Sequence, residues 1–337
     1  MSFVSNLILA TVRMAIPLLF IALGELYSER AGMVNIGLEG LAAIGSLVGF
    51  LICFITGSTW LGILCGALVG VAVNMIYAFA TIQLCANHTV YGMAMNIFAP
   101  ALASFIYRVY FGKGSDLSQI TLMKGIGIPV LKDIPFIGPL LFNQTPMVYL
   151  AILLVIFTSV FFSKMRSGLN YRAVGENPKA AATLGINVIG TKYLSCVLCG
   201  ALAGIGGAYL TTCYSNTYTE GNIAGRGFIA LAAVIFGRWS AGGILIACLF
   251  FGFCDAITNE PGPTYIISIF APPGSVSGFT SPVLGKAARR ARSAASCHFL
   301  ASASRRALAS VSRRAFSSAV RRATPSSNFF PRSTILA

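Results

Sequence analysis

Six apolar runs succeed one another along the chain: Leu7–Tyr27, Leu38–Ile55, Trp60–Leu84, Val90–Tyr110, Met147–Phe162 and Tyr193–Thr212. A helix crossing a bilayer needs about 20 mostly apolar residues, so each run predicts one span. A last apolar block extends from Gly227 to Ile257 and is broken by Gly237-Arg238-Trp239. The break divides it into Gly227–Phe236 and Ala241–Ile257. The first piece is too short to cross alone and is predicted to re-enter the membrane or to pair with the loop before it. The pattern describes an all-α polytopic membrane protein with about seven to eight transmembrane or re-entrant helices.

Small residues recur within these runs at helical spacing. Gly62, Gly66 and Gly70 lie four apart, as do Gly45 and Gly49, and Gly200 and Gly204. Small residues on one helix face let two backbones approach closely in lipid. Chance recurrence in a Gly-rich chain is the alternative. Either way, the glycines concern packing and not chemistry.

Composition narrows the function. Of the 337 residues 56% are hydrophobic and 10% charged, against about 25% charged in a soluble domain. That excludes an ordinary soluble enzyme, and extensive disorder with it. The only histidines are His88 and His298, and HExxH, GxSxG and GxxxxGK[ST] motifs are missing. The chain is therefore expected not to be an enzyme and to hold no cofactor of its own. If ATP powers its work, a partner chain binds the ATP and magnesium. Cys196-Val-Leu-Cys199 has CxxC spacing but no second pair, and reads as apolar filler.

Charge is uneven. The formal net charge is +15, yet 11 of the 24 Lys and Arg residues lie between Gly285 and Ala337, where no Asp or Glu occurs. Basicity is thus a property of the tail and does not make the chain a nucleic-acid binder. Residues 163–192 carry Lys164, Arg166, Arg172, Lys179 and Lys192 against Glu176 alone, which predicts a cytoplasmic loop by the positive-inside rule. The Gly- and Pro-rich stretch 111–146, with Lys113, Lys124 and Lys132 against Asp116 and Asp133, is predicted to be external. Five spans before a cytoplasmic loop place the N-terminus outside. No cleavable signal peptide is expected, because a basic segment before the first run is absent.

Polar residues within apolar runs are costly and so informative. Arg13 lies inside the first run and Glu25 near its end; Glu39 opens the second. Asn74 and Gln83 fall in the third and Asn96 in the fourth. Asn74 and Asn96 are the candidate substrate-pathway residues, since an amide both donates and accepts for a sugar or nucleoside. Hydrogen bonding between helices is the alternative for each. The charged, Gly-rich stretch from Glu29 to Gly40 predicts either a tight polar re-entry or an ordinary loop. In the basic loop, Asn177 suits a helix N-cap and Pro178 the first helical position. Ala180, Ala181 and Leu184 are predicted to share one side of a stub helix that Gly185 terminates. So short an element makes sense as a knob for a partner's groove; a bare surface turn is the alternative.

Four segments resemble the permease subunit of bacterial binding-protein-dependent ABC importers, specifically the simple-sugar and nucleoside branch related to branched-chain amino-acid permeases. They are Glu29-Arg-Ala-Gly-Met-Val-Asn-Ile-Gly-Leu-Glu-Gly40, Val90-Tyr-Gly-Met-Ala-Met-Asn-Ile97, Tyr171-Arg-Ala-Val-Gly-Glu-Asn-Pro-Lys-Ala-Ala-Ala-Thr-Leu-Gly-Ile186 and Gly225-Arg-Gly-Phe-Ile-Ala-Leu-Ala-Ala-Val-Ile-Phe-Gly237. The resemblance implies a multi-pass protein of the bacterial cytoplasmic (inner) membrane, surrounded by membrane lipid. Its implied partners are ABC ATPase subunits, an extracytoplasmic solute-binding protein and a second permease copy or paralogue, with no nucleic acid. It implies that the stub is a coupling helix docking on the ATPase through Glu176, Asn177, Pro178, Ala180, Ala181, Leu184 and Gly185. The function implied is ATP-driven translocation of a small polar solute by alternating access. An ion-gradient-driven secondary transporter is the alternative; it would want acids at mid-span, whereas Glu25, Glu39 and Asp255 read as lying near span ends.

Past about Ile257 the family pattern stops. Pro272-Pro273 and a tail repeating Arg-Arg-Ala at 289, 305, 313 and 321 follow instead. Residues 1–262 are read as the permease domain and 263–337 as an atypical, disordered basic tail. An out-of-frame gene end accounts for its abrupt composition; a genuine extension is the alternative.

Overall fold

The computed structural model describes residues 3–112, 119–123, 125–127 and 143–259. The tail, the 262/263 boundary, and Lys113, Asp116, Lys124, Lys132 and Asp133 lie outside them. Among the described residues the helices are α1 (Phe3–Arg30), α2 (Leu38–Thr56), α3 (Thr59–Ala78), α4 (His88–Phe111), α5 (Pro146–Lys164), α6 (Arg166–Glu176), α7 (Pro178–Thr183), α8 (Val188–Tyr209), α9 (Arg226–Phe236) and α10 (Ala241–Asn259). Wider π-type turns prolong α3 to Gln83 and α8 to Ser215. One antiparallel pair of two-residue strands, Ile126–Gly127 with Asn143–Gln144, is the exception to an all-helical chain.

Among the described residues six helices are long and apolar enough to cross a membrane: Leu7–Arg30, Leu38–Thr56, Thr59–Gln83, His88–Phe111, Pro146–Lys164 and Val188–Ser215. They coincide with the six apolar runs. Arg226–Phe236 and Ala241–Ile257 are shorter apolar helices, divided where Gly237-Arg238-Trp239 interrupts the pattern.

Helix α8 sits at the centre, against α1, α2 and α3. The glycines at four-residue spacing are what bring these backbones together. A Cβ added at Gly45 would stand 2.6 Å from the Gly204 carbonyl oxygen, one at Gly200 2.6 Å from that of Gly70, and one at Gly62 2.6 Å from that of Gly49. Three helices thus touch main chain to main chain, where dispersion contacts and not side-chain interdigitation hold them. The principal apolar core lies between this layer and α1, α5, α9 and α10, and includes Phe20, Ile21, Leu23, Leu41 and Val234, all buried.

The end of α1 meets α6: the Tyr171 hydroxyl donates to the Tyr27 carbonyl at 3.0 Å. The start of α1 and the α6–α7 hairpin therefore occupy opposite faces, with five spanning helices before the hairpin. On the face away from α6–α7, Arg108 at the end of α4 pairs with Glu220 through two bonds, Nε to Oε1 at 2.6 Å and Nη2 to Oε2 at 2.5 Å. Arg108 holds the Glu220 carboxyl below its usual range. That pair therefore persists above the ordinary carboxylate pKa and is lost only as pH falls through the depressed one. Beside it Phe50, Tyr107, Phe111 and Tyr218 form an aromatic cluster.

Helix α9 is a half-span. Eleven residues rise about 16 Å, half the hydrocarbon thickness. It begins within the bundle at Gly225, whose φ of 85° is left-handed, and descends to the turn at Trp239, beside the end of α1. The apolar piece Gly227–Phe236 thus pairs with the loop before it: from Glu220, on the face away from α6–α7, loop and helix together reach the end of α1.

Gly45→Val is expected to destabilise the bundle by about 1–3 kcal/mol, the cost of overpacking. Thermal unfolding in detergent, compared with Gly242→Val at an open site on α10, measures it.

Candidate functional site

The stretch Glu29–Gly40 is a tight polar re-entry. After α1 the chain turns at Gly32 (φ 80°) and comes back beside its own helix, inside the bundle. Its peptide groups are therefore shut away from water and need partners. Glu25, 0% exposed, accepts from the Asn35 N–H at 2.8 Å. The Asn35 side chain accepts from the Gly37 N–H at 2.9 Å and donates to Asn74 Oδ1 at 2.9 Å. Asn74 in turn donates to the Cys196 carbonyl at 2.6 Å. The Tyr77 hydroxyl donates to the Val34 carbonyl at 2.9 Å and meets His88 Nδ1 at 2.9 Å. The Ser28 hydroxyl reaches the Met33 carbonyl at 2.6 Å. Cys199 is more than filler: its thiol lies 3.6 Å from Glu25 Oε2 and 3.7 Å from Asn35 Nδ2.

Two further side chains cap helix starts across the bundle. Asn96 of α4 accepts from the Gly40 N–H at 3.0 Å and donates to the Ile36 carbonyl at 2.7 Å. Glu39 of α2 accepts from the Gly225 and Gly227 N–H groups at 2.7 and 2.8 Å. A carboxylate there satisfies orphan donors and meets the positive end of the α9 dipole. Arg226 then pairs with Asp255 of α10 at 3.1 Å.

The two amides proposed from the sequence for a solute path are thus brought together, but on one turn of backbone. Asn74 is 0% exposed, and its amide atoms are engaged by Asn35 of the α1–α2 turn and Cys196 of α8. Asn96 is half-buried, and both its polar atoms serve the same turn. Their hydrogen bonds are of the kind that joins helices. Arg13 and Gln83 stand exposed on the sides of their helices.

The stub helix forms where Asn177 and Gly185 place its ends. Asn177 Oδ1 accepts from the Ala180 N–H at 3.2 Å. At the other end Gly185, with φ 77°, donates to the Ala182 carbonyl at 3.0 Å and Ile186 to that of Ala181 at 3.2 Å, a Schellman closure. The predicted face needs correction. Ala181 is buried against its own chain, whereas Ala180 and Leu184 are exposed, Leu184 by 78%. Positions 180 and 184 share a face at i, i+4; 181 lies about 100° away. Glu176 is not part of the stub but closes α6, where it is exposed and lies 3.9 Å from Arg172. Helix α6 itself went unread. Its signal was present: Arg172 and Glu176 at i, i+4, and no proline before Pro178. Burial pushes the phenol of its anchor Tyr171 up from its usual range.

The family described as branched-chain amino acid transport system / permease component matches residues 7–267. The chain belongs to that permease family.

Relatives agree. The permease is 40% identical over 256 residues to the nucleoside ABC transporter permease protein NupC of Lactococcus lactis subsp. cremoris, covering 73% of this chain and 80% of that one. It is 37% identical over 261 residues to the guanosine ABC transporter permease protein NupQ of Bacillus subtilis (75% and 82%). It is 36% identical over 261 residues to the putative glucose ABC transporter permease protein TsgC13 of Haloferax volcanii (76% and 78%). No solved structure matches it. The chain is thus a multi-pass permease subunit of an ABC importer and not itself an enzyme, and ATPase and solute-binding partners go with that role. The family match runs about ten residues beyond the point at which the motifs stop.

Asn74→Leu is expected to remove the oxygen acceptor of the Asn35 amide and the side-chain donor on the Cys196 carbonyl, and to destabilise the permease by about 2 kcal/mol. Asn74→Asp, which as the neutral acid keeps both an acceptor for Asn35 and a donor for the Cys196 carbonyl, should cost less. Unfolding of the two variants in detergent measures the difference.

Proposed function

We propose that this permease imports a nucleoside, with a simple sugar as the competing substrate, by alternating access across the bacterial cytoplasmic membrane. It works as a pair with a second copy or a paralogue. Helices α6 and α7 face the cytoplasm and dock on the ATPase, through Glu176, Asn177, Pro178, Ala180, Leu184 and Gly185; Ala181 supports the stub from inside. The opposite face, with the Arg108–Glu220 pair, receives the solute-binding protein.

One observation carries the docking assignment. Leu184 is the most exposed large apolar side chain among the described residues, 78%, and it stands at the tip of a helix capped at both ends. It lies outside the six spans, so lipid does not explain its exposure. A rigid apolar knob on a basic loop (Lys164, Arg166, Arg172, Lys179, Lys192) fits the groove of a partner in the cytoplasm. Nucleosides lead the substrate assignment because two of the three relatives above are named for them. The carboxylates that an ion-driven carrier would use are committed, Glu25 and Glu39 to backbone N–H groups and Asp255 to Arg226. The atypical tail is assigned to a shifted reading frame, which resequencing codons 255–337 checks.

Leu184→Asp is the decisive variant. Losing a buried leucine at an interface costs about 1.5–3 kcal/mol, so ATP-dependent uptake of labelled guanosine should fall about tenfold or more. The amount of permease in the membrane should be unchanged. Unaltered uptake would remove the docking assignment, and competition by glucose but not by nucleosides would reverse the substrate order.

A further inference from the structure

Both ends of the half-span helix α9 are held from one stretch of chain. Its start is capped by Glu39. Its far end runs into Gly237-Arg238-Trp239, and that turn is gripped by the last two residues of α1. Trp239 Nε1 donates to Glu29 Oε2. Arg30 donates to the Trp239 carbonyl from Nη2 and from Nε, the latter at 3.2 Å. The turn is strained: Arg238 and Trp239 take φ of 54° and 53° in succession, where the Cβ of an L-residue crowds its own backbone. Such a conformation persists only where its surroundings over-determine it.

Arg30 also faces the α6–α7 hairpin. Its carbonyl lies against Gly175 of α6, so closely that a Cβ there would not fit. Its guanidinium stands 5.9 Å from the centroid of the Phe162 ring at the end of α5. The Tyr171 hydroxyl grips the Tyr27 carbonyl one turn earlier on α1. One residue therefore touches the hairpin, the end of α5 and the strained turn.

We propose that Glu29 and Arg30 are the link that passes a displacement of α6–α7 to α9, with the Trp239 turn as an element of two arrangements, pinned and released. The proposal rests on the docking role of α6–α7. The contact between Gly175 and the Arg30 carbonyl leaves no slack, so moving α6 moves Arg30. Moving Arg30 withdraws donors from the Trp239 carbonyl, and the turn relaxes away from its left-handed pair. Helix α9 follows because Gly237 ends it, while the Glu39 cap holds its other end as a pivot. Contact alone does not make a coupling path; a two-state element biased from both sides does, and the strained turn supplies one. Glu29, Arg30 and Trp239 are positioning residues in this scheme.

The test uses the complete complex, permease with its ATPase and solute-binding partners, in proteoliposomes, with labelled guanosine and glucose as probes. Trp239→Phe removes the indole N–H and keeps an aromatic ring. Uptake should fall about tenfold, the scale of one charge-assisted hydrogen bond, while ATP hydrolysis stays within about twofold, raising the ATP used per solute moved. Glu29→Leu should reproduce this, and Glu29→Gln, which keeps an acceptor for the indole, should restore the ratio. An unchanged ratio in Trp239→Phe and Glu29→Leu, or a parallel fall of uptake and hydrolysis, would overturn the link and leave the turn a purely structural one. A wild-type complex that takes up neither probe with ATP would overturn the importer reading itself, and the link with it.

Discussion

A chain that reverses direction inside an apolar bundle must bring its own partners for every peptide group it shuts away. The turn between α1 and α2 meets that constraint. Glu25, Asn35, Asn74, Asn96, Tyr77 and Ser28 are all spent on it. Because those side chains come from α1, α3, α4 and the turn itself, satisfying the backbone also ties these helices together. The α9 cap extends the same logic: a residue two places after the turn, Glu39, satisfies the start of a helix nearly two hundred residues later. Remove the polar turn and α2, α4 and α9 lose their common anchor.

This arrangement explains why acids and amides lie in a membrane chain that hydrolyses nothing. A buried carboxylate without partners is hard to retain. Here each oxygen faces a donor, and the alternative for that donor is hydrocarbon. The polar residues of the first two spans thus form architecture. The exposed, chemically plain hairpin α6–α7 is the part that faces another protein.

Much of this was legible in the residues. The six apolar runs fell on the six long helices because length and hydropathy alone decide that outcome. Gly45 with Gly49, Gly66 with Gly62 and Gly70, and Gly204 with Gly200 were readable as packing because four-residue spacing places each set on one face of its helix. Asn177 and Gly185 announced the ends of α7, since N-cap and left-handed closure are local chemistry. What escaped depended on distance in sequence. Nothing near Asn74 shows that Asn35 and Cys196 will flank it, so an amide that joins helices looked the same as one that lines a path. Glu39 reads as a charge at a helix start until Gly225 arrives beside it. Ala181 went to the wrong side because a six-residue helix offers too few positions to fix its buried face.

The glycine contacts among α2, α3 and α8 set a limit on how such a machine can deform. Helices separated by a layer of side chains can slide, because rotamers yield. Where carbonyl oxygens of one helix rest on the α-carbons of the next, no such cushion exists, and a shift of even half an ångström meets hard repulsion. The three helices must therefore travel as one stiff plank. Whatever alternates in this protein must move around that plank and not within it.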